Sequence, residues 1–176
     1  MNSKHSSPLK HILVVLFLSI PVFGISQEIS DTNKMELNFH HCYYPESSFT
    51  LGIGATYSIK LNAVGVNARV YYNIDENWCV GPEFSYVNNG ESMLYDMSLI
   101  AHYIIETSLV GIYPVIGLNY SLEGGNHESI GAFGVVFGGG VHRNFNKLTV
   151  FTEYTHIQSK LQDDFVSLGL MLNLRK

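Results

Sequence analysis

Several residue types and patterns are scarce in this chain, and each scarcity removes a class of protein. Charged residues make up 14% of the 176 residues and the net charge is −5, so no basic surface for nucleic acid is expected. No long segment has the 3.6-residue period of an amphipathic helix. The chain has only two cysteines, Cys42 and Cys79, so at most one disulfide can form within it. Beyond residue 24 no run of 18 apolar residues occurs, which excludes a membrane-spanning helix there.

The N-terminal residues 1–26 have the pattern of a secretory signal peptide. Lys4 and Lys10 are basic, residues 11–24 (HILVVLFLSIPVFG) are apolar, and small residues precede a cleavage point before Gln27. The apolar stretch is too short to span a membrane, and no cysteine of a lipoprotein anchor follows it. Removal of the two lysines changes the formal charge from −5 to −7.

The remainder divides into a short polar segment and one domain. Residues 27–47 form a polar lead-in, in which 35–44 (MELNFHHCYY) could add a short strand, and residues 48–176 form the domain. An exported chain meets an oxidising compartment, so a disulfide between Cys42 and Cys79 is chemically allowed. The sequence leaves the bridge and two free thiols as open alternatives, because it does not show how far apart the residues lie.

Within the domain, runs of about ten residues with a period of two alternate with turn clusters, which is typical of β-strands. One set of alternate positions is apolar in every run, and the other set is small, polar or ionisable. We predict eight strands, at residues 49–59, 63–73, 77–87, 92–105, 111–122, 131–143, 147–156 and 165–175.

The choice of which set faces inward decides between a soluble and a membrane barrel. The polar set is rich in Gly, Ser and Thr and has few of the Lys and Glu residues of a wet surface. Roughly forty mostly large apolar side chains would not fit inside eight strands, where the interior is only just filled. We therefore predict an all-β fold, a single antiparallel up-and-down transmembrane β-barrel, closed because an open edge leaves backbone groups unpaired in hydrocarbon. The alternative fold is a soluble ligand-binding barrel.

The aromatic residues of the apolar set favour the membrane alternative, because they gather at the strand ends as two interface girdles do. One end carries Tyr57, Tyr86, Tyr95, Tyr120, Phe133 and Tyr154, and the other carries Phe49, Tyr72, Trp78 and Tyr103. We expect short turns on the periplasmic side at 73–77, 106–110 and 144–147, and longer connections outside at 87–92, 121–129 and 156–164.

The strand–turn–strand unit VGVNARVYYNIDENWCVGPEFSYV, the segment YPVIGLNYSL and the closing FVSLGLMLNLRK resemble the OmpA/OmpX-like family of small outer-membrane β-barrel proteins over residues 49–176. The resemblance implies a barrel in the outer membrane of a Gram-negative bacterium. It also implies that the barrel-assembly machinery reads the last strand. That signal usually ends in an aromatic residue, whereas this chain ends Leu174-Arg175-Lys176. The resemblance says little about activity, because members range from structural anchors to enzymes.

Ionisable residues of the inward set should pair inside the barrel, because a charge facing lipid is costly. These residues are Arg69, Glu83, Asp96, His102, His142 and Glu153. The predicted turns place Glu83 near Asn67 and diagonal to Arg69, with Asp96 across from Glu83, so we expect an Arg69–Glu83–Asp96 cluster. We interpret the set as a structural network that fills the lumen; the alternative is a proton or ion path.

Four further features bear on function or regularity. Pro82 and Pro114 should lie at a bulge or a strand end, because each loses a ladder hydrogen bond. The segment 138–140 (GGG) is not a phosphate loop, since no helix and no suitable lysine follow it.

His40-His41-Cys42 could bind a metal, but it has no spaced partner pair. His127-Glu128-Ser129 invites comparison with barrel lipases and lipid A deacylases, although a solvated loop explains it better.

The sequence therefore predicts an integral outer-membrane barrel with a filled polar lumen and a structural or interaction role. We expect contact with outer-membrane lipid and, during biogenesis, with the barrel-assembly machinery. We expect a monomer, with no nucleic-acid partner, enzymatic activity, cofactor or metal site. The alternatives are a narrow porin-like channel and a lipid-modifying outer-membrane enzyme.

Overall fold

The computed structural model describes residues 46–107, 109–125, 129–145 and 147–174. The signal peptide, the lead-in up to residue 45, the segment 35–44 and Cys42 lie outside these residues. The strands are β1 (Ser48–Ser58), β2 (Ala63–Asn73), β3 (Trp78–Asn88), β4 (Met93–Tyr103), β5 (Ile105–Glu106), β6 (Gly111–Gly124), β7 (Ser129–Phe145), β8 (Leu148–Gln158) and β9 (Asp163–Leu174). No helix in the described part is long and apolar enough to cross a membrane.

The strands close into a barrel in which neighbours in sequence are neighbours in space. The order is β4-β3-β2-β1-β9-β8-β7-β6-β5, and a further pairing of β4 with β6 closes the ring. The two residues of β5 continue β4 along the same edge of β6, so β4 and β5 together count as one of the eight strands of the barrel wall. The predicted closed, antiparallel up-and-down barrel of eight strands is confirmed.

Burial alternates along the strands in the predicted sense, with polar residues inside and apolar residues outside. In β1, Thr50 and Ser58 are fully buried, whereas Ile53 is 67% exposed. The pattern arises because successive side chains of a strand point to opposite faces. Two members of the outward set, Thr152 and Val166, are buried. Val166 is covered because it pairs with a tyrosine on each neighbouring strand.

The barrel has two different ends. The turn end holds the β2–β3 and β7–β8 connections, and the loop end holds the β1–β2, β3–β4 and β8–β9 connections. At the turn end, the Asp75 carboxylate accepts hydrogen bonds from the backbone N–H groups of Asn77 and Trp78, both at 2.7 Å. At the loop end, β3 and β8 end later and β9 begins earlier than predicted, so the β3–β4 and β8–β9 connections are only 89–92 and 159–162.

The expectation of a bulge or strand end at the two prolines is wrong. Pro82 lies inside β3 and Pro114 inside β6, both facing outward. The strand register does not shift at either proline, so neither forms a bulge. On one side of each proline, however, two consecutive positions have no paired residue on the neighbouring strand. These interruptions lie between Arg69↔Glu83 and Tyr72↔Val80, and between His102↔Val115 and Ile105↔Ile112. A proline has no N–H to donate, so the sheet loses a bond without gaining a residue.

Candidate functional site

The centre of the lumen is an arginine held by two carboxylates. Arg69 points inward from β2, and none of its side chain is exposed. Its Nη1 and Nη2 atoms donate to the two oxygens of Glu153 at 3.2 and 3.3 Å, and Nη1 lies 3.2 Å from Oε1 of Glu83. Its Nε donates to Oδ1 of Asn67 at 2.9 Å. This two-pronged pairing is the strong form of an ion pair, because it matches the planar fork of the guanidinium.

Aromatic rings pack around this ion cluster. The guanidinium carbon of Arg69 lies 4.0 Å from the centre of the Phe151 ring, within the range of a cation–π contact. Tyr71 donates its hydroxyl hydrogen to Oε1 of Glu83. The rings and hydroxyls replace water around charges that would otherwise be costly to bury.

A stack of rings extends from the cluster across the lumen. Its ring centres are separated by 4.8 Å between Tyr71 and His102, 4.7 Å between His102 and Tyr113, and 5.4 Å between Tyr113 and His142. These four residues belong to β2, β4, β6 and β7, so the stack joins one side of the barrel to the other. Nε2 of His102 lies 3.6 Å from Oε2 of Glu153, which links the stack to the ion cluster.

The predicted Arg69–Glu83–Asp96 cluster is wrong in one member. Asp96 accepts hydrogen bonds from Ser121 and Asn119 instead, and Glu153 takes the expected place beside Arg69. The hairpin register is the first cause, because Arg69 pairs directly with Glu83 while Asp96 pairs with Ser85 rather than with Glu83. The second cause is that Glu153 lies on β8, far along the chain, whereas the prediction considered only contacts between strands of neighbouring hairpins.

Three of the inward residues offer metal-ligand atoms close together, but the set does not fit a metal ion. One atom each of Glu83, His102 and Glu153 lies within 4.8 Å of the others. Nη1 of Arg69 is 3.2 Å from both carboxylates, so a guanidinium already holds the position that a cation would take. A metal ion there would face this positive charge at short range.

The other motifs of the sequence give little chemistry in the described residues. His40-His41-Cys42 lies outside them, as do two residues of His127-Glu128-Ser129, and Ser129 is exposed at the start of β7. Cys79 is buried on β3 and has no disulfide partner among the described residues. Whether Cys42 pairs with it stays untested.

The outward aromatic residues form cross-strand pairs at both ends of the wall. At the loop end, the ring centres of Tyr86 and Tyr95 are 4.9 Å apart, and those of Tyr120 and Phe133 are 4.8 Å apart. At the turn end, the corresponding pairs are Phe49–Tyr72 at 5.2 Å and Trp78–Tyr103 at 4.9 Å. Tyr57 and Tyr154 also lie at the loop end, within the same outward set.

Some residues of the lumen escaped the sequence reasoning although their strand parity marks them as inward. Tyr71 and Tyr113 are the largest of these, and each is almost fully buried. Sequence analysis sought polar inward residues and so passed over aromatic ones on the same face. At the loop end, the Asp164 carboxylate accepts a hydrogen bond from the Tyr154 hydroxyl at 2.5 Å, and its Oδ1 atom lies 2.8 Å from Nδ1 of His156. No pattern in the sequence indicates this group of three surface residues.

Comparisons with known proteins show similarity in fold, but none to a protein family or in sequence to a curated protein. No family profile matches the chain, and no curated protein matches it by sequence. Solved structures do match in fold. The N-terminal β-barrel domain of Pseudomonas aeruginosa OprF has a TM-score of 0.64 at 12% identity, and the alignment covers 73% of this chain and 98% of that one.

Two further structures of natural outer-membrane or attachment proteins are similar. Yersinia pestis Ail, the attachment invasion locus protein, has a TM-score of 0.57 at 17% identity, covering 73% of this chain and 99% of that one. The outer membrane protein OprG of Pseudomonas aeruginosa has a TM-score of 0.58 at 8% identity, covering 76% and 99%. The described chain thus has the architecture of the small eight-stranded barrels solved from bacterial outer membranes.

Proposed function

We propose that this chain is an integral outer-membrane protein whose barrel is closed to solutes and serves a structural or interaction role. The observation that carries the proposal is the reversed distribution of polarity, with charges inside the wall and apolar side chains outside it. Leu118, Val64 and Phe133 are 66%, 67% and 84% exposed on the outer face. A soluble monomer rarely exposes so continuous an apolar surface.

The dimensions of the wall suit a bilayer. Strand β1 has 11 residues. At a rise of about 3.3 Å per residue and a tilt near 45°, such a strand spans roughly 25 Å along the membrane normal. This height matches the apolar band of outer-membrane barrels, and the aromatic pairs at the two ends would sit at the two lipid interfaces.

The contents of the lumen favour a plugged barrel over a narrow porin-like channel. Arg69 joins β2 to β3 and β8, and the ring stack joins β2 to β7 through β4 and β6. Arg69 lies near the middle of its strand and the ring stack lies nearer the turn end, so an ion crossing the lumen would have to displace paired charges and pass the rings. We therefore propose a noncatalytic, nonconducting protein, inserted as a monomer by the barrel-assembly machinery and surrounded by lipid.

Residues 1–26 are proposed as the export signal of this protein. The N-terminal sequence of the mature protein, recovered from the outer-membrane fraction, should begin at Gln27. A mature chain that begins at Met1 would refute this part of the proposal and leave the barrel unaffected.

Four measurements test the central proposal. The protein should fractionate with outer membranes and migrate faster on gels before heating than after heating. Planar bilayers that contain the folded barrel should show no steady single-channel steps, and cells with and without the protein should have the same lipid composition. A protein that is monomeric and stable in buffer without detergent would refute the membrane location, regular conductance steps would favour the channel, and altered lipids would favour the enzyme.

A further inference from the structure

The outer face of the barrel has a long apolar groove that runs across the strands. Its volume is about 820 Å³, and it crosses β1, β2, β3, β4, β6 and β7. One side of the groove is a row of outward residues in line on neighbouring strands: Leu51, Val70, Pro82, Leu99 and Leu118. The other side is a second row, which lies closer to the loop end: Ala68, Phe84, Met97, Tyr120 and Phe133.

The floor of the groove is backbone. The residues between the two rows, such as Arg69, Ser98 and Asn119, belong to the inward set, so their side chains point into the lumen. Ala68 and Pro82, on adjacent strands, have the smallest side chains of the two rows. They leave space on the outer face that larger side chains would fill.

The groove rises from the turn end of the wall toward the loop end. Leu51 lies near the turn end of β1, whereas Phe133 lies near the loop end of β7. Five steps between neighbouring strands, at about 4.8 Å each, give a length of roughly 24 Å. Because the strands tilt by about 45°, a line across them tilts equally and rises roughly 17 Å along the membrane normal. This rise is close to the thickness of one leaflet, which is half of a hydrocarbon core of about 30 Å.

These dimensions suit a lipid acyl chain better than a second copy of the barrel. The two rows are two residues apart on each strand, a spacing of about 7 Å, so only a thin and flexible chain can reach the floor. A second barrel has a convex wall and would contact only the edges of the groove. Association in hydrocarbon depends on van der Waals packing, and an acyl chain in the groove has protein on three sides.

The loop end of the groove leads into the aromatic residues of the interface. Tyr120 and Phe133 form the last pair of the second row, with ring centres 4.8 Å apart. Aromatic residues at this level of a membrane protein lie beside lipid head groups. A lipid with its head group at the loop end therefore has an acyl chain at the entrance of the groove.

We propose that this groove binds one acyl chain of a membrane lipid whose head group lies at the loop end, beside Tyr120 and Phe133. The chain lies along Met97 and reaches the space beside Ala68 and Pro82. The inference rests on the proposed membrane location and adds a defined lipid site to the general contact of the wall with lipid.

Native mass spectrometry of the full chain tests the site. The barrel is folded into vesicles of dimyristoyl phosphatidylcholine, extracted in mild detergent and washed before its mass is measured. The wild-type protein should retain a single lipid. Ala68→Phe places a ring in the groove and should reduce the retained lipid by about tenfold, because association in hydrocarbon depends on packing. Ala55→Phe adds the same ring at an exposed outward position of β1 outside the groove, and should retain as much lipid as the wild type.

Insertion and lipid binding are measured separately. Flotation with vesicles and heat-dependent gel migration verify that each variant is inserted and folded, and Pro82→Leu fills the groove from β3 should Ala68→Phe fail to fold. A wild-type protein that does not float would refute the membrane location and the site with it. A floating protein that retains no lipid, or equal retention by Ala68→Phe, would overturn the site alone. A dimer in place of the lipid complex would overturn the choice of occupant.

Discussion

Replacement of Arg69 by methionine is the sharpest test of the lumen network. The substitution keeps an unbranched side chain of similar length but removes the charge from between Glu83 and Glu153, whose side chains are 8% and 1% exposed. Breaking a buried ion pair by removing one partner costs about 3–5 kcal/mol, because the other charge stays buried and unpaired. Solvent screening does not reduce this cost, since none of the Arg69 side chain is exposed.

Urea unfolding of the folded barrel in lipid vesicles measures this loss. Trp78 is the single tryptophan and lies exposed at the turn end, so its fluorescence reports on transfer from lipid to water. With a slope of about 2 kcal/mol per molar urea, a loss of about 4 kcal/mol lowers the midpoint by roughly 2 M. Combining Arg69→Met with Glu83→Gln and Glu153→Gln should recover more than half of the lost stability, because no charge of the ion cluster then remains unpaired.

Arg143 offers a matched control. It lies near the turn end of β7 with its guanidinium carbon 5.4 Å from the centre of the Phe145 ring, and it is partly exposed. Arg143→Met should cost less than about 1 kcal/mol, as is usual for exposed charges. Equal losses for Arg143→Met and Arg69→Met, or no loss for the latter, would show that the lumen network does not stabilise the barrel.

Three further predictions concern packing, accessibility and the loop end. A Cβ atom at Gly140 would lie 2.5 Å from Cζ of Tyr113, so Gly140→Ala should lower the unfolding free energy by about 1–3 kcal/mol, whereas Gly125→Ala, which meets only one atom at 3.9 Å, should change it little. With a reductant present, Cys79 should resist iodoacetamide in the folded barrel and react after heating, as read by intact mass. Asp164→Asn should change stability by less than about 1 kcal/mol, because its contact with the His156 ring is partly exposed.

The strands and their faces were predictable because both follow from a local period of two. Inward Thr50 and outward Ile53 differ in burial as their strand positions require. Strand ends at the loop end were less predictable, because residues outside the alternating pattern, such as Ser129 and Ile130 at the start of β7, continue the ladder. The pairing of β6 with β7 extends to Gly124↔Ser129, well past the last apolar alternation.

The lumen site was only partly predictable because its partners are distant in sequence. Strand parity placed Arg69 and Glu83 inside, and one hairpin brings them together. The meeting of Arg69 with Glu153 joins residues 84 positions apart, and only the curvature of the closed wall brings them together. The tight turn assumed between β2 and β3 also gave the wrong register, because Asp75 organises a wider connection there.

The pairing of β1 with β9 has a consequence for the order of folding. Leu51 pairs with Leu172, so the first strand of the ring is completed only by the last. Hairpins can form as the polypeptide emerges, but the final seam joins residues more than a hundred positions apart and waits for the end of synthesis and export. Until then the unpaired backbone groups of both outermost strands can pair with other chains. A chain cut before β9 would keep these open strand edges permanently.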